Sequence, residues 1–416
     1  MLGYAEMKEA VVWLQSHQAG HTYAIYDDLS TAVNENYSTD TVALTKAKAL
    51  TAKLIFDQVQ PGREYSYRLF INGKEQQRDY PFRFTTQKLW AYRTDPPDFT
   101  MAMGSCAYIS EKKADRPGEP YGGEYEIFRS IAAKDPDVMM WLGDNTYLRP
   151  TDWWTKTGYQ ERYSHTRELE EMQPLLAACP NFAIWDDHEF GPNNSNQAWV
   201  QKELALETFK LFWANHSYGY PGLNGITSAF RFNDIDVFML DNRWHRTEIN
   251  DAGPEHILGE KQVEMLIDYL KFSRAPFKLV AIGGQLLNSA EVYENHARYP
   301  AERDYILKRI AEEEIKGVIF LSGDRHHSEV SAKTLENGIK IWDITSSPLT
   351  SKPNLNVTET NDHREEGSLI QERNFTTLTF SGPRKDRKLN IKYYDTEGNE
   401  LFSYQITADE IYNKSK

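Results

Sequence analysis

Over residues 1–88 the apolar positions fall in short runs without a sustained helical period. Ala10–Leu14, Thr22–Tyr26, Ala52–Phe56, Tyr65–Ile71 and Phe82–Thr85 have the length of strands. Alternation along Tyr65, Tyr67, Leu69 and Ile71 turns one face inward. The turn signals Gln60-Pro61-Gly62 and Asn72-Gly73 separate the runs, the second being the pair that a two-residue hairpin favours because both central residues need positive φ. A small antiparallel sandwich is expected over 1–88. After Asp95-Pro96-Pro97 the pattern changes. Short apolar runs now alternate with helical stretches: Gly123–Lys134 is amphipathic, and Glu260–Ser273 carries Val263, Leu266, Ile267 and Leu270 at i, i+3, i+4 and i+7. This predicts an α/β domain over 89–416. The domain ends in three strands, Phe375–Phe380, Leu389–Tyr394 and Leu401–Ile406, with a polar loop expected over 351–367. There is no internal repeat.

The chain is 416 residues long, with 40% hydrophobic and 26% charged residues, enough for a large core in an ordinary globular protein. Its formal charge of −14 is spread along the sequence, which argues against a nucleic-acid groove as the main binding surface. An anionic substrate would have to be drawn in by cations inside a pocket. Two cysteines, Cys106 and Cys179, exclude a disulfide framework. The first residues carry no basic-then-apolar leader, and no apolar run is long enough to cross a membrane. Because the sequence opens within a strand-rich region, the reading is that a leader is absent from this sequence, with a cytosolic protein as the alternative.

Chemistry concentrates at the ends of apolar runs. Phe99–Met103 leads into Gly104-Ser105-Cys106, and 137–142 into Gly143-Asp144-Asn145-Thr146-Tyr147. Phe182–Trp185 leads into Asp186-Asp187-His188-Glu189, and 236–240 into Asp241-Asn242-Arg243. The fifth, 317–321, leads into Ser322-Gly323-Asp324-Arg325-His326-His327. In α/β proteins strand carboxyl ends converge on one edge, where ligands bind. Asp144, Asp187 and Asp324 gathered there would repel one another unless cations neutralise them. Cys, Tyr and His beside such carboxylates suit a trivalent or transition metal. Two ions ~3.5–4 Å apart could bind phosphate oxygens and generate a hydroxide nucleophile. Arg243 is a candidate two-pronged phosphate clamp, with pairing to Asp241 as the structural alternative. His188 is a candidate general acid, or a partner that orients Asp187. Trp153-Trp154, Arg162 and His165 are expected in an insertion that lines the pocket, with plain packing as the equal alternative.

The motifs Gly143-Asp144-x-x-Tyr147, Trp185-Asp186-Asp187-His188-Glu189 with Asn193-Asn194, Leu240-Asp241-x-Arg243 and Gly323-Asp324-x-His326 resemble, in this order, the alkaline phosphatase D (PhoD-like) family. That family is related in motif order to purple acid phosphatases and calcineurin-like phosphoesterases. Residues 59–68 resemble part of a fibronectin type III domain, with a spacer or lid as its expected role. The resemblance implies an α/β/β/α metallophosphoesterase sandwich, hydrolysis of phosphomonoesters or phosphodiesters, and export to a periplasmic or extracellular location. It implies Fe3+ on Cys106, Asp144, Tyr147 and His326, with Asp144 bridging to a Ca2+ held by Asp324 and Asn193. Asp187, His188 and Arg243 are left as the catalytic candidates. The stretch Phe190-Gly191-Pro192 is one residue longer than the family pattern, which leaves Asn194 as an alternative to Asn193. Two rival readings are a hydrolase with Cys106 as nucleophile and a surface or polymer-binding protein with a decayed metal domain.

Overall fold

In the computed structural model, which describes residues 1–33, 35–249 and 253–412, nine strands form the N-terminal sandwich. They are β1 (Leu2–Ala5), β2 (Ala10–Gln15), β3 (Gly20–Asp28), β4 (Tyr37–Ser38), β5 (Val42–Leu44), β6 (Thr51–Phe56), β7 (Glu64–Ile71), β8 (Lys74–Gln76) and β9 (Arg83–Thr85). One sheet has the order β1-β2-β6; the other is built on β4-β3-β7-β8. Asn72 and Gly73 close the β7–β8 hairpin with φ of 51° and 76°, the left-handed pair that a two-residue turn demands.

The sandwich is fused to the larger C-terminal region. Along β2, Val12 and Leu14 face the sandwich core, whereas Val11 and Trp13 face the larger core of the remaining chain. Trp13 packs on Phe212, and its Nε1 donates to the Leu211 carbonyl at 2.9 Å. A strand buried on both faces reads as a continuous apolar run, and Ala10–Leu14 is one.

Two six-stranded sheets dominate the rest. The first has the order β12-β11-β10-β19-β20-β21, where β10 is Phe99–Gly104, β11 Val138–Leu142, β12 Asn181–Ile184, β19 Phe375–Ser381, β20 Lys388–Tyr394 and β21 Glu400–Thr407. The second has the order β13-β14-β15-β16-β18-β17, where β13 is Ser228–Phe232, β14 Ile235–Met239, β15 Lys278–Ala281, β16 Val318–Ser322, β17 Glu329–Thr334 and β18 Lys340–Thr345. Strands β10, β11 and β12 run parallel, as do β14, β15, β16 and β18.

Side-chain alternation assigns the faces. Val237 and Met239, Leu279 and Ala281, and Ile319 and Leu321 point into a core shared with the first sheet's Met101, Met103 and Leu378. Their neighbours Phe238, Val280 and Phe320 point the other way, onto α6 (Glu260–Phe272) and α7 (Pro300–Glu312). In α6 the buried residues include Val263, Leu266, Ile267 and Leu270, the predicted stripe. The helix α1 (Ile127–Ala133) starts later than the amphipathic pattern does, because Glu124 has a left-handed φ of 55° and a turn at Tyr125 and Glu126 follows it. Three further helices matter below: α2 (Lys156–Arg167), α3 (Gln173–Ala178) and α4 (Asp187–Phe190).

This is a mixed α/β fold with two facing sheets, and the carboxyl ends of their parallel strands meet at one edge. The approach is close: a Cβ on Gly323, after β16, would lie 2.6 Å from Ser105 Cβ, after β10. Among the described residues no helix is long and apolar enough to cross a membrane.

Candidate metal centre

The loops leaving β10, β11 and β16 turn sharply, and the turn residues are the candidates themselves. Cys106, Asp144, Asp324 and His326 have φ of 60°, 53°, 63° and 54°. Left-handed backbone at a residue other than glycine costs on the order of 1–3 kcal/mol and persists only where the surroundings enforce it. Gly143 makes the Asp144 turn possible: its φ is 94°, and a Cβ there would sit 2.8 Å from Asp186 Cβ. Glu189 then ties the loops together. Its buried carboxylate accepts N–H bonds from Asp144 (2.9 Å), Asp186 (3.0 Å) and Asn145.

Four donors converge. Tyr147 Oη lies 3.2 Å from Asp144 Oδ2 and 3.4 Å from His326 Nε2, and Cys106 Sγ lies 3.7 Å from the same Asp144 oxygen. Two serines from the far side complete the surround: Ser347 donates to Cys106 Sγ at 3.3 Å and Ser351 to Tyr147 Oη at 3.1 Å. The Lys352 carbonyl, 2.8 Å from His326 Nδ1, can only accept, so Nδ1 carries the proton and Nε2 offers its lone pair toward Tyr147. Burial lowers the His326 pKa to about 4, which keeps the ring neutral.

A second set shares Asp144. Ligand atoms of Asp144, Asp187 and His188 lie within 4.8 Å of one another, as do those of Asp144, Asp186 and Asp324. Asp187 and His188 open α4, Asp186 caps it, and the His188 ring packs on Tyr147 at 4.2 Å between centroids. Asn193 and Asn194 both line the cleft beside them, and the Asn194 N–H is bonded to Asp187 Oδ2 at 2.5 Å.

The electrostatics call for a cation. Burial, then the Asp187 and Cys106 charges, hold Asp144 well above the usual carboxylate range, and Asp324 is raised by burial and by Glu294. Burial and Asp144 raise Tyr147 in the same way, and burial with Asp324 pushes Cys106 up to about 12. Asp187 goes the other way: burial raises it, but His188, Arg243 and the Asn194 N–H outweigh that. Without a cation this cluster retains protons; metal binding would displace them. Oδ2 of Asp186 and Oδ1 of Asp187 are buried without a hydrogen-bond partner, which is the condition of ligand atoms. The residues present therefore fit a metal cofactor.

Cys106 is 0% exposed and its thiol is pushed up, whereas a nucleophilic cysteine needs access and a lowered pKa. Arg243 departs from the clamp expectation. It is fully buried, and its guanidinium is engaged by Asp186 (Nε to Oδ1, 2.5 Å), by Glu294 on both Nη atoms and by the Ser195 carbonyl, which leaves no open fork for phosphate. Nor is Asp241 its side-chain partner; that carboxylate is bonded to Trp185 Nε1 and to the N–H groups of Ile226, Arg243 and Trp244. Arg162 and His165 also miss the cleft. Both lie on α2: His165 lines a separate cavity beside the sandwich, and Arg162 is paired to Asp152 and Glu111. Glu294, Ser347 and Ser351 come from loops that carry no motif. The cleft, about 540 Å³, is lined by Asp144, Asp187, His188, Asn193, Asp324 and His326, with Lys352 and Arg298 on its walls.

Known proteins share this architecture. The solved structure of PhoD superposes with a TM-score of 0.75 at 18% identity, covering 98% of this chain and 88% of that one. A purple acid phosphatase, PPD1, isolated from yellow lupin (Lupinus luteus) seeds, does so with a TM-score of 0.69 at 12% identity, covering 98% and 73%. Alkaline phosphatase D of Bacillus subtilis (strain 168) is 22% identical over 337 residues, 66% of this chain, and the chain spans about half, 55%, of that relative's length. The sequence profile of PhoD-like phosphatases matches residues 101–385, the stretch that supplies both sheets' strand ends and all six candidate ligands. This chain belongs to the PhoD-like phosphatase family.

Proposed function

We propose that the protein is a metal-dependent phosphoesterase that hydrolyses phosphomonoesters or phosphodiesters. The observation that carries this reading is the convergence of Cys106, Asp144, Tyr147 and His326 around one point, with a second oxygen-rich set sharing Asp144. Cys106, Asp144, Tyr147 and His326 would hold ferric iron, since thiolate and phenolate are strongly donating anions. Asp144, Asp324 and Asn193, with Asp187 beside them, would hold calcium, which accepts hard oxygen donors in loose geometry. Ions held there would supply charge compensation to the phosphoryl oxygens and an acidified water.

The remaining roles belong to the chain. His188 sits on the cleft wall against Tyr147, and burial lowers its pKa, so the neutral ring is suited to accept a proton and return it to the leaving oxygen. Asp187 Oδ1 lies 4.0 Å from Nε2 of that ring, close enough to favour the imidazolium when it takes up a proton. Arg243 acts at one remove, holding the Asp186 carboxylate beneath the cluster. The N-terminal sandwich, residues 1–88, we read as a fibronectin type III-like unit joined to a catalytic unit of residues 89–416, and the working location as outside the cytoplasm. Every motif position keeps a chemically competent side chain, which disfavours a decayed metal domain.

Elemental analysis of the purified protein, run beside turnover of a chromogenic phosphomonoester and phosphodiester, tests the reading. Iron and calcium should co-purify with activity. An active protein free of both metals would overturn it.

A further inference from the structure

A cavity larger than the cleft lies away from it. It encloses about 660 Å³ between the sandwich and helices α2 and α3. Trp13, Tyr67 and Leu69 give it a carbon wall; Gln160, Ser164 and Arg167 give it a polar one. Such a volume, with carbon on one side and a few convergent polar groups on the other, is the usual form of a small-molecule site.

Arg167 is the anomaly in that wall. It is 5% exposed, and its Nε and Nη2 are buried without a hydrogen-bond partner. Among the described residues no carboxylate lies within ion-pairing distance of it. Glu111, in the same wall, is already paired to Arg162, and Glu161 and Glu168 are exposed. Trp213 stacks 4.1 Å from its Cζ, a contact that softens the loss of water but cannot neutralise the charge. Close by in the wall, the Nδ1 of His165 is likewise buried and unpartnered. A charge held away from water is costly to leave alone, and buried charges are ordinarily paired. We propose that this cavity binds a small organic anion, with a carboxylate or phosphate head on Arg167 and an apolar body against Trp13, Tyr67 and Leu69. The cleft plays no part in this, so the proposal is independent of the metal reading.

The test is thermal melting of the intact protein with 2-naphthoate, with a non-hydrolysable naphthylphosphonate and with neutral 2-naphthamide. One or both anions should raise the wild-type melting temperature, by roughly 1–3 °C near tenfold saturation, and the amide should not. The two heads distinguish a carboxylate ligand from a phosphate one. Arg167→Met should abolish the response while melting, ligand-free, no lower than wild type. Should that variant fail to fold, Arg167→Lys carries the test, with affinity reduced about tenfold because the planar fork is lost. A wild type unmoved by both anions at millimolar concentration overturns the proposal. So does a shift that persists undiminished in the Arg167 variant, since the anion would then be held elsewhere.

Discussion

Glu294 closes on Arg243 with both carboxylate oxygens, 51 residues away in sequence, and the pair lies wholly inside the protein. Arg243 in turn holds Asp186, which caps the helix that begins with Asp187. Glu294 also pairs with the buried Arg246 at 2.5 Å, so its removal would leave Arg243 with Asp186 alone and Arg246 without its carboxylate, and an uncompensated buried charge costs about 3–5 kcal/mol. Glu294→Ala should therefore lower stability in denaturant unfolding by about that much. Arg243→Lys should lower the melting temperature and kcat while leaving KM nearly unchanged. A large rise in KM at unchanged stability would restore the clamp role.

Tyr147 and Cys106 make colour a readout. In the proposed centre both would donate charge to ferric iron when deprotonated, so the loaded protein should absorb in the visible. Tyr147→Phe keeps the ring that packs on His188 and Tyr108 but removes the phenolate, so the band should shift or vanish with stability changed by no more than about 1 kcal/mol. An unchanged spectrum in that variant would falsify phenolate ligation.

The Cys106 thiol gives a second test. Cys106→Asp keeps an anionic donor and should retain iron and part of the activity, whereas Cys106→Ala should lose iron and about 100-fold or more in kcat/KM. Trapping a phosphocysteine on wild-type protein would mean that Cys106 is a nucleophile.

Oxygen donors dominate the second set, so the order of metal preference can be checked. After treatment with a calcium-selective chelator that leaves iron in place, turnover should fall at least about tenfold. Calcium should restore it and zinc should not. Recovery with zinc alone would show that His188 supplies a ligand the oxygen set lacks.

Far from the cleft, Glu302 of α7 gathers the N–H groups of Ile257, Leu258 and Gly259 and sits 2.7 Å from His296 Nε2, which fastens α7 to the start of α6. Burial raises its pKa, but His296 and the N–H groups outweigh that and hold it below its ordinary 4.5. A carboxyl depressed in the folded state stabilises above its unfolded pKa, and that stability is lost as pH falls through the folded value. Glu302→Gln should cost about 2–3 kcal/mol at neutral pH, and the gap to wild type should close in acid below pH 4.5. Urea midpoints across pH 3–7 would check it, at roughly half-unit steps.

The strand ends were legible because chemistry sat at one repeated place, the residues just after an apolar run. Cys106, Asp144, Asp187, Asp324 and His326 needed no tertiary knowledge to be suspected. The stripe of α6 and the Asn72-Gly73 turn were equally local. Glu294, Ser347 and Ser351 were not legible, since they reach the centre on loops whose direction is set by distant packing. Strands β13, β15, β17 and β18 also gave little signal: Lys278–Ala281 opens on a buried lysine, and Lys340–Thr345 hides Asp343 in its middle. The Arg243 expectation failed for a related reason. A sequence shows that a guanidinium is near the centre but not which carboxylates have already closed on it.

Strand β2 has a consequence for how the molecule comes apart. Its two faces belong to different cores, so neither sheet system can melt without exposing the other's flank. Trp13→Ala, in the N-terminal strands, should loosen the packing around Phe212 and cost about 3–5 kcal/mol there. Calorimetry should then record a single cooperative transition where two beads on a string would give two. Cleavage after residue 88 should leave the pieces clasped rather than freed.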